Sequence, residues 1–125
     1  MATRSMIGIV RADGSVRAIY CHFDGYLEGV GATLHKHYFT ETAVYNLLDL
    51  GSISSLGDSL SYTTTIDDTF DNEFKDIAEA VEYYTPSWCE YFYIFEDGIW
   101  TVRDRHGMNR SLAGVLEDLR ESVKE

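Results

Sequence analysis

The chain alternates short strand-like runs with amphipathic helical stretches. Met6 to Arg11 reads MIGIVR, apolar and β-branched, and after ADGS comes a second such run, VRAIYCHF. Two strand-forming runs around an Asp-Gly step predict a β-hairpin. Strand alternation puts Val16, Ala18, Tyr20, His22 and Asp24 on one face and Arg17, Ile19, Cys21 and Phe23 on the other. Asp24-Gly25 ends the strand. Val30, Leu34 and Tyr38 then recur at helical spacing, so EGVGATLHKHY predicts a short helix with a glycine-softened start. Thr40 reads as the N-cap of a second helix, with Glu41 in its first turn, Phe39 as a hydrophobic staple, Val44, Leu47 and Leu48 as the apolar stripe, and Gly51 as the stop.

The second half repeats these signals in another order. SISSLGDSLSYTTT predicts a loop with a short strand at Ser59 to Thr65. Phe70, Phe74, Ile77, Ala78 and Val81 fit a 3.6-residue period, which predicts a helix from Thr69 to Tyr84, closed by Pro86. CEYFYIFEDGIWTVRDR predicts a second hairpin around Asp97-Gly98. Leu112, Val115, Leu116, Leu119 and Val123 mark a C-terminal helix capped by Ser111. The order predicts one α+β domain over residues 1–125: a single antiparallel sheet of about four strands, made of the two hairpins, with helices packed on one face.

Composition adds the surface. The 125 residues are 45% hydrophobic and 14% aromatic, an ordered globular composition of one domain's length. No run of eighteen apolar residues suggests a membrane span, and MATRSMIGIV lacks the apolar region of a secretion signal. Cys21 and Cys89 are too few for a disulfide framework and read as buried thiols of a reduced, cytosolic protein. Ten basic residues against 21 acidic ones give a net charge of −11. Such a chain is repelled by nucleic-acid phosphates and anionic membranes and attracted to basic surfaces.

Three groups of residues carry candidate chemistry. Asp67, Asp68, Asp71, Glu73, Asp76, Glu79 and Glu82 face a single base, Lys75, in a short stretch. On a helix with one apolar stripe these carboxylates would share the solvated faces, either as a solubilising surface or as a docking surface that imitates nucleic-acid phosphates. Tyr83, Tyr84 and Trp88 follow as candidate aromatic anchors. Arg17, Arg103 and Arg105, with His106, Trp100 and nearby tyrosines, form a second candidate, a small anion pocket for a nucleotide. His22 and Asp24 share a strand face and, with His35 or His37, form the third, a metal or hydrolase site. Cys21 and His22 point to opposite faces and cannot act as a nucleophile and base. Gly25, Gly29 and Gly31 lack dinucleotide or P-loop spacing and suit a tight turn and close packing instead.

TRSMIGIV, DGSVRAIYCHFDGYLEGVG, HY and LGSISSLG together resemble a group of small proteins encoded by bacteriophages and prophages. The resemblance covers about residues 3 to 57, and 90 to 102 loosely, and carries over no catalytic residue. The segment from Asp58 to Trp88, which holds the acidic run, is where this chain departs from the group. The resemblance implies a phage accessory protein acting in the host bacterial cytoplasm, where small acidic phage proteins inhibit defence systems by occupying nucleic-acid-binding grooves. The expectation is therefore a non-enzymatic, anti-CRISPR-like or anti-restriction inhibitor without a cofactor or metal. Its partner would be a basic protein or ribonucleoprotein of a host defence complex, with no nucleic acid or membrane bound directly.

Overall fold

The structure, a computed structural model, describes residues 3–65, 71–84, 89–106 and 108–123, with the backbone alone at residues 62, 71, 72 and 121–123. The first hairpin forms as its sequence predicts, from β1 (Ser5–Val10) and β2 (Val16–Cys21). A π-helical turn, Leu27–Gly31, runs into α1 (Ala32–His37), and α2 (Glu41–Leu48) follows. Next come β3 (Ile53–Ser55), a 3₁₀ turn (Leu60–Tyr62), β4 (Thr64–Thr65), β5 (Asp71–Phe74) and α3 (Ile77–Tyr84). The second hairpin is β6 (Tyr91–Glu96) and β7 (Ile99–Asp104), and β8 (Asn109–Ser111) leads into α4 (Leu112–Val123).

The terminating signals act as read. Thr40 Oγ1 accepts the Ala43 N–H at 3.1 Å, and Ser111 Oγ accepts that of Gly114 at 3.2 Å, so both helices carry side-chain caps. Gly51 follows α2 at φ +76°, and its N–H reaches the Leu48 carbonyl. Asp97 and Gly98 both have positive φ, +52° and +81°, as a two-residue type I′ hairpin turn requires. Phe39 departs from expectation: it stands 63% exposed and does not seal the start of α2.

Among the described residues the sheet has eight strands in the order β4-β3-β2-β1-β6-β7-β8, with β5 also pairing β2. The two hairpins join through β1 and β6, which run parallel with Ser5 opposite Tyr91 and Ile9 opposite Phe95. The sheet is therefore mixed and larger than four antiparallel strands. Its outer edge at β2 is shared: β5 pairs Val16 to Ile19, and β3 meets Cys21.

Both faces of the sheet are covered, which corrects the one-sided arrangement expected from the sequence. Ile7, Ile9, Ile19, Cys21, Tyr93, Phe95, Trp100 and Val102 pack with Leu34, Val44, Leu47, Leu48, Leu112 and Val115 of α1, α2 and α4. On the opposite face Met6, Val16, Ala18, Phe92 and Ile94 pack with Ala80 and Tyr84 of α3 and with Phe74. The central strands are apolar on both faces because each lies between two layers.

The predicted helix from Thr69 to Tyr84 is also corrected. Within the described residues only Ile77–Tyr84 is helical, and Asp71–Phe74 is a strand antiparallel to β2. The Phe70/Phe74 spacing suits a helix turn and a strand face alike, and pairing to the open edge of β2 favours the strand. The strand expected over Ser59 to Thr65 reduces to the 3₁₀ turn and the two residues of β4.

Candidate functional site

The glycine-rich stretch after β2 is structural. Asp24 turns the chain at φ +59°, and its carbonyl accepts the Val30 N–H at 2.8 Å. Gly25 lies against β1: its N–H reaches the Thr3 carbonyl at 2.8 Å, and its own carbonyl accepts the Tyr93 hydroxyl at 2.6 Å. A β-carbon at Gly25 would stand 2.6 Å from the Thr3 carbonyl oxygen and 2.8 Å from Ser5 Cβ. Gly31 lies under the Tyr93 ring and Leu112. The stretch thus seats the start of α1 on the sheet by backbone contact.

The histidines do not converge. The Tyr20 hydroxyl and His22 Nδ1 share a hydrogen bond at 2.7 Å, so Tyr20 orients the His22 ring. His37 lies 3.5 Å from Asp58, and His35 is exposed. Among the described residues no group of three His, Cys, Asp or Glu side chains is placed to hold a metal ion.

The arginines are also dispersed. Arg17 points to the α2 side of the sheet, where its guanidinium meets the Asp49 carboxylate at 2.8 Å and the Leu48 carbonyl at 3.3 Å. Arg103 lies opposite Phe92 on the α3 side. Between them stand β1 and β6, a backbone separation of roughly 14 Å at ordinary strand spacing. Arg105 is exposed. Trp100 is buried, with its indole N–H on the Tyr38 carbonyl at 2.8 Å, and offers no open stacking face. The nucleotide pocket expected from these residues is not assembled.

The acidic run divides into structural and solvated carboxylates. Asp76 is the N-cap of α3: its Oδ1 accepts the Glu79 N–H at 2.9 Å, while Glu79 Oε1 accepts the Lys75 N–H at 3.3 Å. These two acids hold down the orphan donors of a helix start. Glu73, on β5, pairs with Arg11 at 2.8 Å, with the two side chains 65% and 30% exposed. Glu82 is exposed. Asp71 lies on β5, and Asp67 and Asp68 fall outside the described residues. Of the three expected aromatic anchors, Tyr83 is 44% exposed and tilts against Phe74 at 5.4 Å between centroids. Tyr84 is corrected: it is 2% exposed, and its hydroxyl donates to the Glu90 carbonyl at 2.9 Å. Burial pushes the Tyr84 phenol well above its ordinary range. A helix turn places Tyr83 outward and Tyr84 inward, so two adjacent tyrosines cannot both serve a partner. Trp88 falls outside the described residues.

A cleft that sequence reasoning missed lies at the turn end of both hairpins. It holds about 260 Å³ and is bordered by Ile9 to Ala12, Gly14, Glu41, Tyr45 and Phe95 to Asp97. Ile9 and Phe95 belong to the core beneath it. Glu41 and Tyr45, one helical turn apart on α2, line it together with Glu96 and Asp97 of the second hairpin. Glu41, Glu96 and Asp97 are exposed and form no ion pair among the described residues, whereas Arg11, which also lines the cleft, is tied to Glu73. The Asp-Gly steps locate the two turns in the sequence; that they meet beside α2 follows from the parallel β1–β6 pairing, which no local pattern encodes.

Among the described residues no helix is long and apolar enough to cross a membrane. Compared with known proteins, the chain matches no family model, no curated protein and no solved structure.

Proposed function

We propose that this chain is a non-enzymatic binding protein whose acidic surface docks on a basic face of a protein or ribonucleoprotein, as a phage-encoded inhibitor of a bacterial defence complex would. The observation that carries this reading is the placement of unneutralised carboxylates. Glu41, Glu82, Glu96 and Asp97 are exposed and form no ion pair among the described residues, in a chain of net charge −11. The few described cations that face carboxylates serve internal joints, as in Arg11–Glu73, Arg17–Asp49 and Arg110–Asp118. Among the described residues no ion pair neutralises these four carboxylates, and a surface of this charge attracts cationic partners and repels phosphates. Each exposed carboxylate contributes at most about 1 kcal/mol, and useful affinity requires several acting together.

The test is affinity capture from lysate of a defence-proficient bacterial host at low and high salt. The expected result is a nucleic-acid-binding protein that is released by high salt and by competing DNA or RNA. Glu82→Lys with Glu96→Lys should weaken its capture, because both acids are exposed and form no ion pair among the described residues. Recovery of nucleic acid alone, or of a partner indifferent to salt, overturns the proposal.

A further inference from the structure

The end of the sheet where β1 begins and β2 stops gathers three polar side chains apart from the acidic surface. Met6 lies opposite Tyr20 and Ser5 opposite Cys21, and the same register sets Arg4 across from His22. The Arg4 guanidinium approaches the Tyr20 hydroxyl, its diagonal neighbour, and that hydroxyl shares its 2.7 Å bond with His22 Nδ1. All three side chains are half-buried. Arg11, Arg17, Arg110 and Arg120 each meet a carboxylate, whereas Arg4 forms no ion pair among the described residues. The nearest acids in sequence, Asp24 and Glu90, are exposed, and neither forms an ion pair among the described residues.

This network fixes where the protons point. A guanidinium only donates, so Arg4 directs an N–H at the Tyr20 oxygen and leaves the phenolic proton for His22 Nδ1. Burial raises the Tyr20 phenol above its ordinary range, so the phenol keeps that proton. The imidazole then carries its own proton on Nε2. The cluster presents guanidinium N–H groups and an imidazole N–H, with no carboxylate among them. We propose that Arg4, Tyr20 and His22 bind the phosphate group of a small phosphate monoester. The guanidinium fork takes phosphate oxygens along one edge, His22 Nε2 takes another, and Tyr20 holds both donors in place. Donors from separate directions suit a tetrahedral anion better than a planar carboxylate. Phe23, 44% exposed, sets its ring edge-to-face with the imidazole at 4.5 Å between centroids and gives the ester group an apolar neighbour. The net charge of −11 disfavours extended polyanions. At about 0.1 M salt, exposed charges beyond about 10 Å are largely screened, so a single phosphate meets mainly these local donors.

The experiment is a two-dimensional amide NMR titration of the full chain with phenyl phosphate, inorganic phosphate and acetate, at a constant ionic strength of about 0.1 M. Saturable shifts at Ser5, Cys21, His22 and Phe23 are expected, with phenyl phosphate binding tightest and acetate weakest. Arg4→Gln should weaken phenyl phosphate by about tenfold, the effect of losing a charge-assisted hydrogen bond. Phe23→Ala should bring phenyl phosphate down to the level of inorganic phosphate. Arg120→Gln, on α4 across the sheet, should change binding by less than about twofold. The spectra themselves report that each variant is folded. Unsaturable shifts, shifts centred elsewhere, acetate binding as tightly as phenyl phosphate, or equal effects of Arg4→Gln and Arg120→Gln overturns the proposal.

Discussion

Gly25→Ala should destabilise the protein by steric contact alone. Gly25 is not among the residues with positive φ, so the substitution incurs no left-handed backbone strain. The added methyl would stand 2.6 Å from the Thr3 carbonyl oxygen, 2.8 Å from Ser5 Cβ and 2.9 Å from Ser5 Oγ. Retreat is blocked, because Ser5 belongs to β1, which is paired on both sides, and the Tyr93 hydroxyl holds the Gly25 carbonyl. Overpacking of this kind costs about 1–3 kcal/mol, and stretching the Gly25–Thr3 hydrogen bond adds about 1 kcal/mol. A domain of this length gains roughly 0.26 kcal/mol/K of unfolding entropy at its midpoint, so Tm should fall by about 8–15 °C. Circular dichroism melts would measure this. Ser5→Gly removes two of the three close atoms, so Gly25→Ala should cost less in that background, with a coupling of about 1 kcal/mol. A Tm within about 2 °C of the parent, or strict additivity with Ser5→Gly, would refute the reasoning.

Further expectations follow from particular contacts. Asp76→Ala removes the α3 cap and should cost about 1 kcal/mol in urea unfolding, whereas Glu82→Gln should stay within about 0.5 kcal/mol; equal effects would remove the distinction between structural and solvated acids. Trp100→Phe loses the indole bond to the Tyr38 carbonyl and should cost about 1–2 kcal/mol, read by the same assay. Burial pushes the Cys21 thiol from 9.0 up to about 12. The unfolded chain therefore releases this proton first as pH rises. Stability from this group is complete below pH 9.0 and falls between there and about 12, by at most about 1.4 kcal/mol per pH unit. Urea midpoints from pH 8 upward should decline above pH 9, less steeply in Cys21→Ala. Both cysteines are buried, and native protein should show no fast reaction with a thiol reagent at pH 8.

The features legible in the sequence are those set by neighbours along the chain. The Asp-Gly steps placed both hairpins, Thr40 and Ser111 placed two helix starts, and Gly51 placed a stop. Strand β5 was read as helix because its residues, DNEF, have little strand preference of their own and take that form beside β2. Two-sided burial did have a signal: MIGIV and YFYIF are apolar without alternation, the mark of strands covered on both faces. The site was harder to read. A carboxylate at a helix start and one on open surface are the same letter, and only the Glu79 and Lys75 N–H bonds tell Asp76 and Glu79 from Glu82. The arginine grouping failed because strand parity and sheet order together put Arg17 and Arg103 on opposite faces.

The parallel joint between β1 and β6 gives the molecule a birth order. The N-terminal hairpin can close as soon as it leaves the ribosome, but the second neighbour of β1 lies about 85 residues downstream. At ordinary elongation rates that edge waits roughly 4–17 s for its partner. During that interval Met6, Ile7 and Ile9 sit beside a row of unmatched backbone donors and acceptors, a template for any extended chain nearby. Yield in a producing cell should then depend on translation speed and chaperone supply as much as on the final fold, and slowing synthesis between Leu50 and Glu90 would lengthen the exposure.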